Sequence, residues 1–130
     1  MRFDLSGCGA GLDESAKGLV ELGPFAERLG YDGLWINEEH FGQGSRVCFS
    51  PIPVATARAM RTRTIRIGFS VLVLPLFEPI RLAEEIPTLD VLSEGRVDRG
   101  VSRGNTSRYF EAWGLITTIG RPRSTRFSTS

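Results

Sequence analysis

Hydrophobic positions along the chain switch repeatedly between a spacing of two and a spacing of three to four. Met1 to Ser6 predicts a short strand, followed by a glycine-rich turn at Gly7, Gly9 and Gly11. Asp13 can cap a helix whose Leu22, Phe25, Ala26 and Leu29 fall on one face, and Gly30 is placed to end it. Asp32 to Asn37 predicts a second strand, and Glu38 to Phe49 a loop. Ser50-Pro51 reads as an N-cap followed by proline at the first position of a second helix, which runs roughly to Arg61. Thr64 to Leu74 predicts a third strand, with Ile65, Ile67, Phe69, Val71 and Val73 on one face and Pro75 as its stop. Pro79 opens a third helix carrying Leu82, Ile86, Leu89 and Leu92, closed by Gly95, and Arg96 to Arg103 predicts a fourth strand.

The order βαβαβαβ belongs to an α/β fold with a parallel sheet and helices packed against it. Four βα units of roughly 30 residues each fill the 130-residue chain. An open doubly wound sheet fits that length. A closed (β/α)8 barrel needs about 250 residues and would be half present. The spacing alone leaves both open. Leu115 to Ser130 breaks the pattern, because seven of its residues are Ser or Thr and three are Arg, with no period. It is expected to be a disordered tail after a structured domain at 1–114.

Composition narrows the function classes. The formal net charge of +1 gives no general attraction for nucleic acid or an anionic membrane. The longest apolar run, Val71 to Leu74, is too short to span a bilayer, and no apolar signal segment follows Arg2 and Asp4. A cytoplasmic protein is expected. Cys8 and Cys48 make neither a disulfide framework nor a thiolate metal site. His40 is the single histidine, so a multi-histidine metal site is excluded and any catalytic triad would have to use it.

Three places could carry chemistry. The glycine cluster at Gly7 to Gly11 sits where a dinucleotide loop would, but Leu12 holds the third glycine position. Asp13 and Glu14 also place negative charge where a pyrophosphate needs positive potential, so a flexible turn is expected. His40 follows Glu38 and Glu39 directly after a strand, at the edge of a parallel sheet where sites lie, and the two carboxylates could hold one tautomer. In RVDRGVSRG, Gly100 and Ser102 leave room beside the backbone for a flat ligand, and Arg103 stands where a guanidinium can grip a phosphate. Two positions look costly. Pro87 inside the third helix removes a hydrogen bond, worth about 3 kcal/mol unless the helix kinks. Arg99 would face the helix layer as an unpaired charge.

AERLGYDGLWINEEHF at Ala26 to Phe41, RTIRIGFSVLVLPLFEPIRLAEE at Arg63 to Glu85, LDVLSEGRVDRGVSRG at Leu89 to Gly104 and FEAWG at Phe110 to Gly114 carry a resemblance. Over most of Met1 to Gly114 the chain resembles the bacterial luciferase-like flavin monooxygenases. The resemblance implies the N-terminal half of a TIM-type barrel, about four parallel βα units. It implies a reduced flavin, FMN or alternatively a deazaflavin, at the C-terminal mouth, with oxygen and a small organic substrate. A flavin reductase is an implied partner. By position, Ser70-Val71 matches a non-prolyl cis peptide under the flavin ring, Ser102 a reactive cysteine, and Arg103 an arginine implicated in binding the flavin phosphate. Glu38 matches the strand-two glutamate, Glu39 replaces the first of two histidines, and His40 is the second. Glu38, Glu39 and His40 are thus the candidates for the catalytic, substrate-side positions.

Two other readings of the chain remain: a non-catalytic flavin-binding or structural remnant of that family, and a small doubly wound nucleotide-binding protein. Half a barrel would leave the first and fourth strands as open edges. Ala55 and Ala59 would let two copies of helix two approach, and the family dimerises through helices two and three, so a homodimer or larger species is expected. The lapse of the family pattern at Leu115 suggests a shifted reading frame near that codon. Translating the downstream DNA in the other two frames would then recover about four more βα units.

Overall fold

The computed structural model describes residues 1–6, 16–41, 48 and 50–115. The glycine cluster, the Asp13 cap and the expected tail beyond Leu115 lie outside the described residues. The elements run β1 (Asp4–Ser6), α1 (Ala16–Arg28), β2 (Gly33–Ile36), α2 (Pro51–Arg61), β3 (Arg66–Val73), a 3-10 turn (Leu74–Leu76), α3 (Pro79–Leu92), β4 (Val97–Ser102) and α4 (Ser107–Ala112). All three strand pairs are parallel and the sheet order is β1-β2-β3-β4. Strands laid down in sequence, each joined by a right-handed crossover, place every helix on the same face. A doubly wound sheet needs a reversal of strand order, and none occurs among the described strands.

The sheet is also curled. In a flat sheet β1 and β4 would lie about 14 Å apart. Yet one guanidinium, that of Arg2, donates to Asp4 Oδ1 at 2.9 Å on β1 and to Asp98 Oδ2 at 3.0 Å on β4. Order and curl together make this four consecutive βα units of a TIM-type barrel.

Register separates the two faces of the sheet. Leu5, Leu34, Ile67 and Val97 form one cross-strand row toward the helices, and Ile36, Phe69 and Arg99 form the next. Against them pack Leu19 of α1, Ile52, Ala55 and Ala59 of α2, and Ile86 and Leu89 of α3, while Leu22 and Ala26 cover Leu34 and Ile65. The concave face carries Asp4, Trp35, Arg66, Gly68 and Asp98. There Arg66 chelates Asp98, and Trp35 Nε1 donates to Asp4. A Cβ at Gly68 would collide with the Trp35 ring, so the strand needs glycine where the indole crosses it.

Several expectations change. The buried stripe of α1 is Leu19, Leu22 and Ala26; Phe25 and Leu29 are exposed, and the Arg28 guanidinium lies 5.8 Å above the Phe25 ring. Ser50 precedes α2 without a side-chain cap, whereas the Glu78 carboxylate does cap α3, accepting from Arg81 N–H at 2.6 Å. Leu92 is exposed. Val71 does not share the buried face of Ile67 and Phe69, because pairing between β3 and β4 shifts between Phe69 and Leu72, so Leu72 and Val73 are buried in succession while Val71 is only partly covered. Arg99 faces the helix layer as expected but costs little, because that part of β4 is uncovered and Arg99 is exposed. Pro87 is exposed and α3 runs through it. Gly30 and Gly95 end their helices at φ of +82° and +78°.

The N-terminal end of the sheet is tied by groups that the hydrophobic pattern does not reveal. The Arg96 guanidinium donates to the carbonyls of Ala59, Thr62, Ile65 and Ser93 and to the Thr62 hydroxyl, at 2.7–3.2 Å, joining the ends of α2 and α3 to the start of β3. Arg58 is buried, its Nε donates to Leu19 O at 2.6 Å, and among the described residues Nη1 has no partner. Burial pushes its pKa down to about 10. Glu27 reaches from α1 to the α2–β3 turn. Partial burial disfavours its charge, but the N–H groups of Thr64, Ile65 and Arg63 and the Thr64 hydroxyl outweigh that and hold its carboxyl at about 2.

Because the folded pKa of Glu27 lies below the ordinary carboxyl value, its contribution is present at neutral pH. It is lost as pH falls from about 4.5 toward about 2. Glu27→Gln, which keeps one acceptor and removes the charge, is expected to lower stability at pH 7 by about 1 kcal/mol, discounted for solvent screening. Urea unfolding at a series of pH values checks this: the gap between the two proteins closes below pH 3 if the charge is responsible.

Candidate functional site

At the C-terminal end of the strands the structure opens a cavity of about 500 Å³. Parallel βα geometry places it there, because every strand-to-helix connection emerges on this side. Of the residues singled out from sequence, Glu38, Glu39, Ser70, Val71, Ser102 and Arg103 all line it. The Ser70–Val71 peptide is cis and non-prolyl, as the resemblance implied. Ser70 Oγ donates to Asn37 Oδ1 at 2.9 Å, tying β3 to the end of β2. The Ser102 hydroxyl accepts from Gly104 N–H at 3.0 Å, and Gly104 takes a φ of +76° that turns the chain around the rim after Arg103.

Gly100 serves a different purpose from the one its sequence context suggested. A Cβ there would strike the Phe69 carbonyl, so its open space is filled by the neighbouring strand at the β3–β4 irregularity and is not kept for a ligand. Ser102 alone of that pair borders the cavity.

Glu38, Glu39 and His40 separate into different environments. The Glu38 side chain is 2% exposed and both oxygens are engaged. Oε2 accepts from Val73 N–H at 2.7 Å, and Oε1 lies 2.7 Å from His40 Nε2. An ionised carboxylate only accepts, so that histidine nitrogen carries the proton. His40 is itself buried behind the cavity wall. Its ring meets Trp113 and Tyr109 edge-on, with centroids 4.7 and 5.1 Å away, and its backbone N–H donates to the Tyr109 hydroxyl at 3.0 Å. Glu39 borders the cavity, and its own N–H donates to Cys48 O. Among the described residues its carboxylate has no hydrogen-bond or ion-pair partner.

Gly104, Asn105, Thr106 and Tyr109 complete the rim. They were missed because they follow the last predicted strand with no period. The one available signal was the FEAWG motif, which places a short helix close behind Arg103. Among the described residues no group of three or more His, Cys, Asp or Glu side chains is arranged to hold a metal ion, and no helix is long and apolar enough to cross a membrane.

The family model described as luciferase-like monooxygenase matches residues 3–126, and the chain belongs to that family. The matched span runs on past Leu115. The chain is 34% identical over 101 residues to the alkanal monooxygenase alpha chain of Photorhabdus luminescens, covering 78% of this chain and 28% of that one. It is 32% identical over 93 residues to the oxygenase component of the flavin-dependent trigonelline monooxygenase of Acinetobacter baylyi, covering 72% and 26%. It thus spans about a quarter of the length of these curated relatives. Among solved structures, a Streptomyces bottropensis monooxygenase superposes with a TM-score of 0.76 at 26% identity, over 88% of this chain and 37% of that one. The FMN-bound oxygenating constituent of 3,6-diketocamphane monooxygenase from Pseudomonas putida superposes at 0.77 and 22% identity, over 88% and 32%, a likeness of fold.

Glu38→Ala would leave the Val73 N–H and the proton on His40 Nε2 unpaired inside the wall of the cavity. It is expected to destabilise the protein by about 2–4 kcal/mol. Glu39→Ala, which removes an unpartnered carboxylate, is expected to change stability by less than about 0.5 kcal/mol. Parallel urea titrations distinguish the two carboxylates; equal losses would show that Glu38 is not the structural member of the pair.

Proposed function

We propose that this chain is the N-terminal part of the oxygenase of a cytoplasmic flavin-dependent monooxygenase that receives its reduced flavin from a separate reductase and acts on a small organic substrate. The observation that supports this most is the gathering of Ser70, Val71, Ser102, Arg103, Glu38 and Glu39 around one cavity at the C-terminal end of the sheet. FMN is the flavin we assign. The cavity fits one side of it, having an apolar strip at Val71 and Val73 beside a polar rim from Ser102 to Thr106.

When bound, reduced flavin supplies the electrons that activate oxygen. The backbone at Ser70–Val71 would support its ring and Arg103 would meet its phosphate. The Glu39 carboxylate, open to the cavity, is the group that takes up or returns a proton. Glu38 and His40 hold the wall from which Glu39 projects. A deazaflavin is the second reading. It draws on the likeness of fold to the coenzyme F420-dependent tetrahydromethanopterin reductase of Methanopyrus kandleri, with a TM-score of 0.65.

We also propose a homodimer through α2 and α3. Ala55 and Ala59 are buried against the chain's own sheet and cannot serve a partner. The surface that can is the groove between the helices, where Pro53, Met60 and Leu92 are exposed beside Arg81 and Glu84.

Fluorescence-quench titration with FMN tests the cofactor. Weak binding is expected, because one half of the barrel supplies all the contacts, and Arg103→Ala should weaken it about tenfold through loss of a charge-assisted phosphate contact. Tight binding unaffected by the substitution would overturn the assignment. Light scattering tests assembly: a species larger than 14.3 kDa at micromolar concentration is expected, and a stable monomer would refute the dimer.

A further inference from the structure

We propose that Tyr109 and Glu39 form a paired recognition site for a neutral ligand that presents a hydrogen-bond acceptor and an adjacent donor, as a carboxamide does. The proposal rests on the reading above only in taking the cavity as the substrate side. Tyr109 borders the cavity, and its hydroxyl oxygen accepts from His40 N–H at 3.0 Å. A phenol has one proton to donate, and with the lone pair on one side engaged that proton is directed to the other. Among the described residues it has no acceptor. The ring cannot turn freely to find one. It stands edge-on to His40 at 5.1 Å and 86°, and packs at 6.1 Å against Phe41.

Glu39 offers the complement. It precedes the residue whose N–H holds the phenol. Its Cα is two bonds from that nitrogen and so lies within about 5 Å of the Tyr109 hydroxyl. One fixed donor and one open acceptor therefore come from adjoining positions on the wall of the same cavity. The Glu39 charge disfavours an anionic ligand beside it. The neighbouring Glu38 carboxylate does not compete, because both of its oxygens are taken. Val71 and Val73 supply an apolar wall for the rest of the ligand.

The test uses the full chain labelled with [13Cζ]tyrosine. It contains two tyrosines, so Tyr31 serves as an internal control. Benzamide offers acceptor and donor, acetophenone the acceptor alone, and ethylbenzene neither. Benzamide is expected to move the Tyr109 signal and not that of Tyr31, and to bind more tightly than acetophenone, which binds more tightly than ethylbenzene. Each step should be about fivefold, as one net hydrogen bond predicts. Tyr109→Phe should abolish the gap between acetophenone and ethylbenzene, and Glu39→Ala the gap between benzamide and acetophenone. Equal binding or no binding of all three probes, an unmoved Tyr109 signal, or unchanged gaps in the variants would each overturn the proposal. FMN titration of the same samples separates the two readings. Probe discrimination without FMN binding upholds this pair and removes the flavin, and FMN binding without discrimination does the reverse.

Discussion

The structure depends on how β3 serves two masters along eight residues. Flanked by β2 and β4, it cannot bend away from either neighbour. Up to Phe69 it alternates strictly, with Ile67 and Phe69 buried against the helices. Between Phe69 and Leu72 its pairing with β4 slips, and Leu72 and Val73 are then buried in succession. The slip releases Ser70 and Val71 to the cavity without opening the core. It also brings Val73 N–H to the Glu38 carboxylate and Ser70 Oγ to Asn37, so the same irregularity fastens the strand-two loop. A strand with unbroken alternation would keep the core and lose the site wall.

The two ends of the sheet are held by different physics. At the N-terminal end, long side chains bind backbone groups that helix ends and turns leave unpaired: Arg96 on four carbonyls, Glu27 on three N–H groups. Such charge-assisted bonds to backbone are strong for their number and fix the relative positions of α1, α2 and α3. At the C-terminal end the ties gather around Glu38 and His40, where side chains meet one another and the N–H groups of Val73 and His40, and they leave an open carboxylate and phenol. Rigidity below and unfilled polar groups above is the division of labour expected of a βα scaffold.

The curvature explains the exposed surfaces. The outer face is covered as far as Val97, after which Arg99, Val101 and Leu74 stand around an uncovered groove beside α3. The concave face carries a charge-balanced quartet of Arg2, Asp4, Arg66 and Asp98. Arg66 lowers the Asp98 pKa most and Arg2 lowers that of Asp4. These pairs are partly exposed and add little stability by themselves. They do show which face a completed barrel would enclose, in keeping with a chain that spans about a quarter of its curated relatives.

By itself the sequence determined the element order, the parallel pairing and the positions where chemistry gathers. Spacing of two or three to four is local, and the glycines and prolines that end elements act within a turn of themselves. The motifs that carried the family resemblance lie inside single βα units, so Ser70, Val71, Ser102 and Arg103 could be named without knowing how the units meet. Tertiary structure alone decided what depends on contacts between units. Barrel and open sheet share one periodicity and differ in strand order and curl. Whether Phe25 or Leu19 faces inward depends on the angle at which α1 lies. Gly100 yields its space to Phe69 because two strands slip past each other, and Ala55 and Ala59 face the sheet because of the way α2 is turned. His40 was legible as a special residue, but its retreat behind Glu38 under Tyr109 and Trp113 required a helix some seventy residues further along the chain to fold back over it.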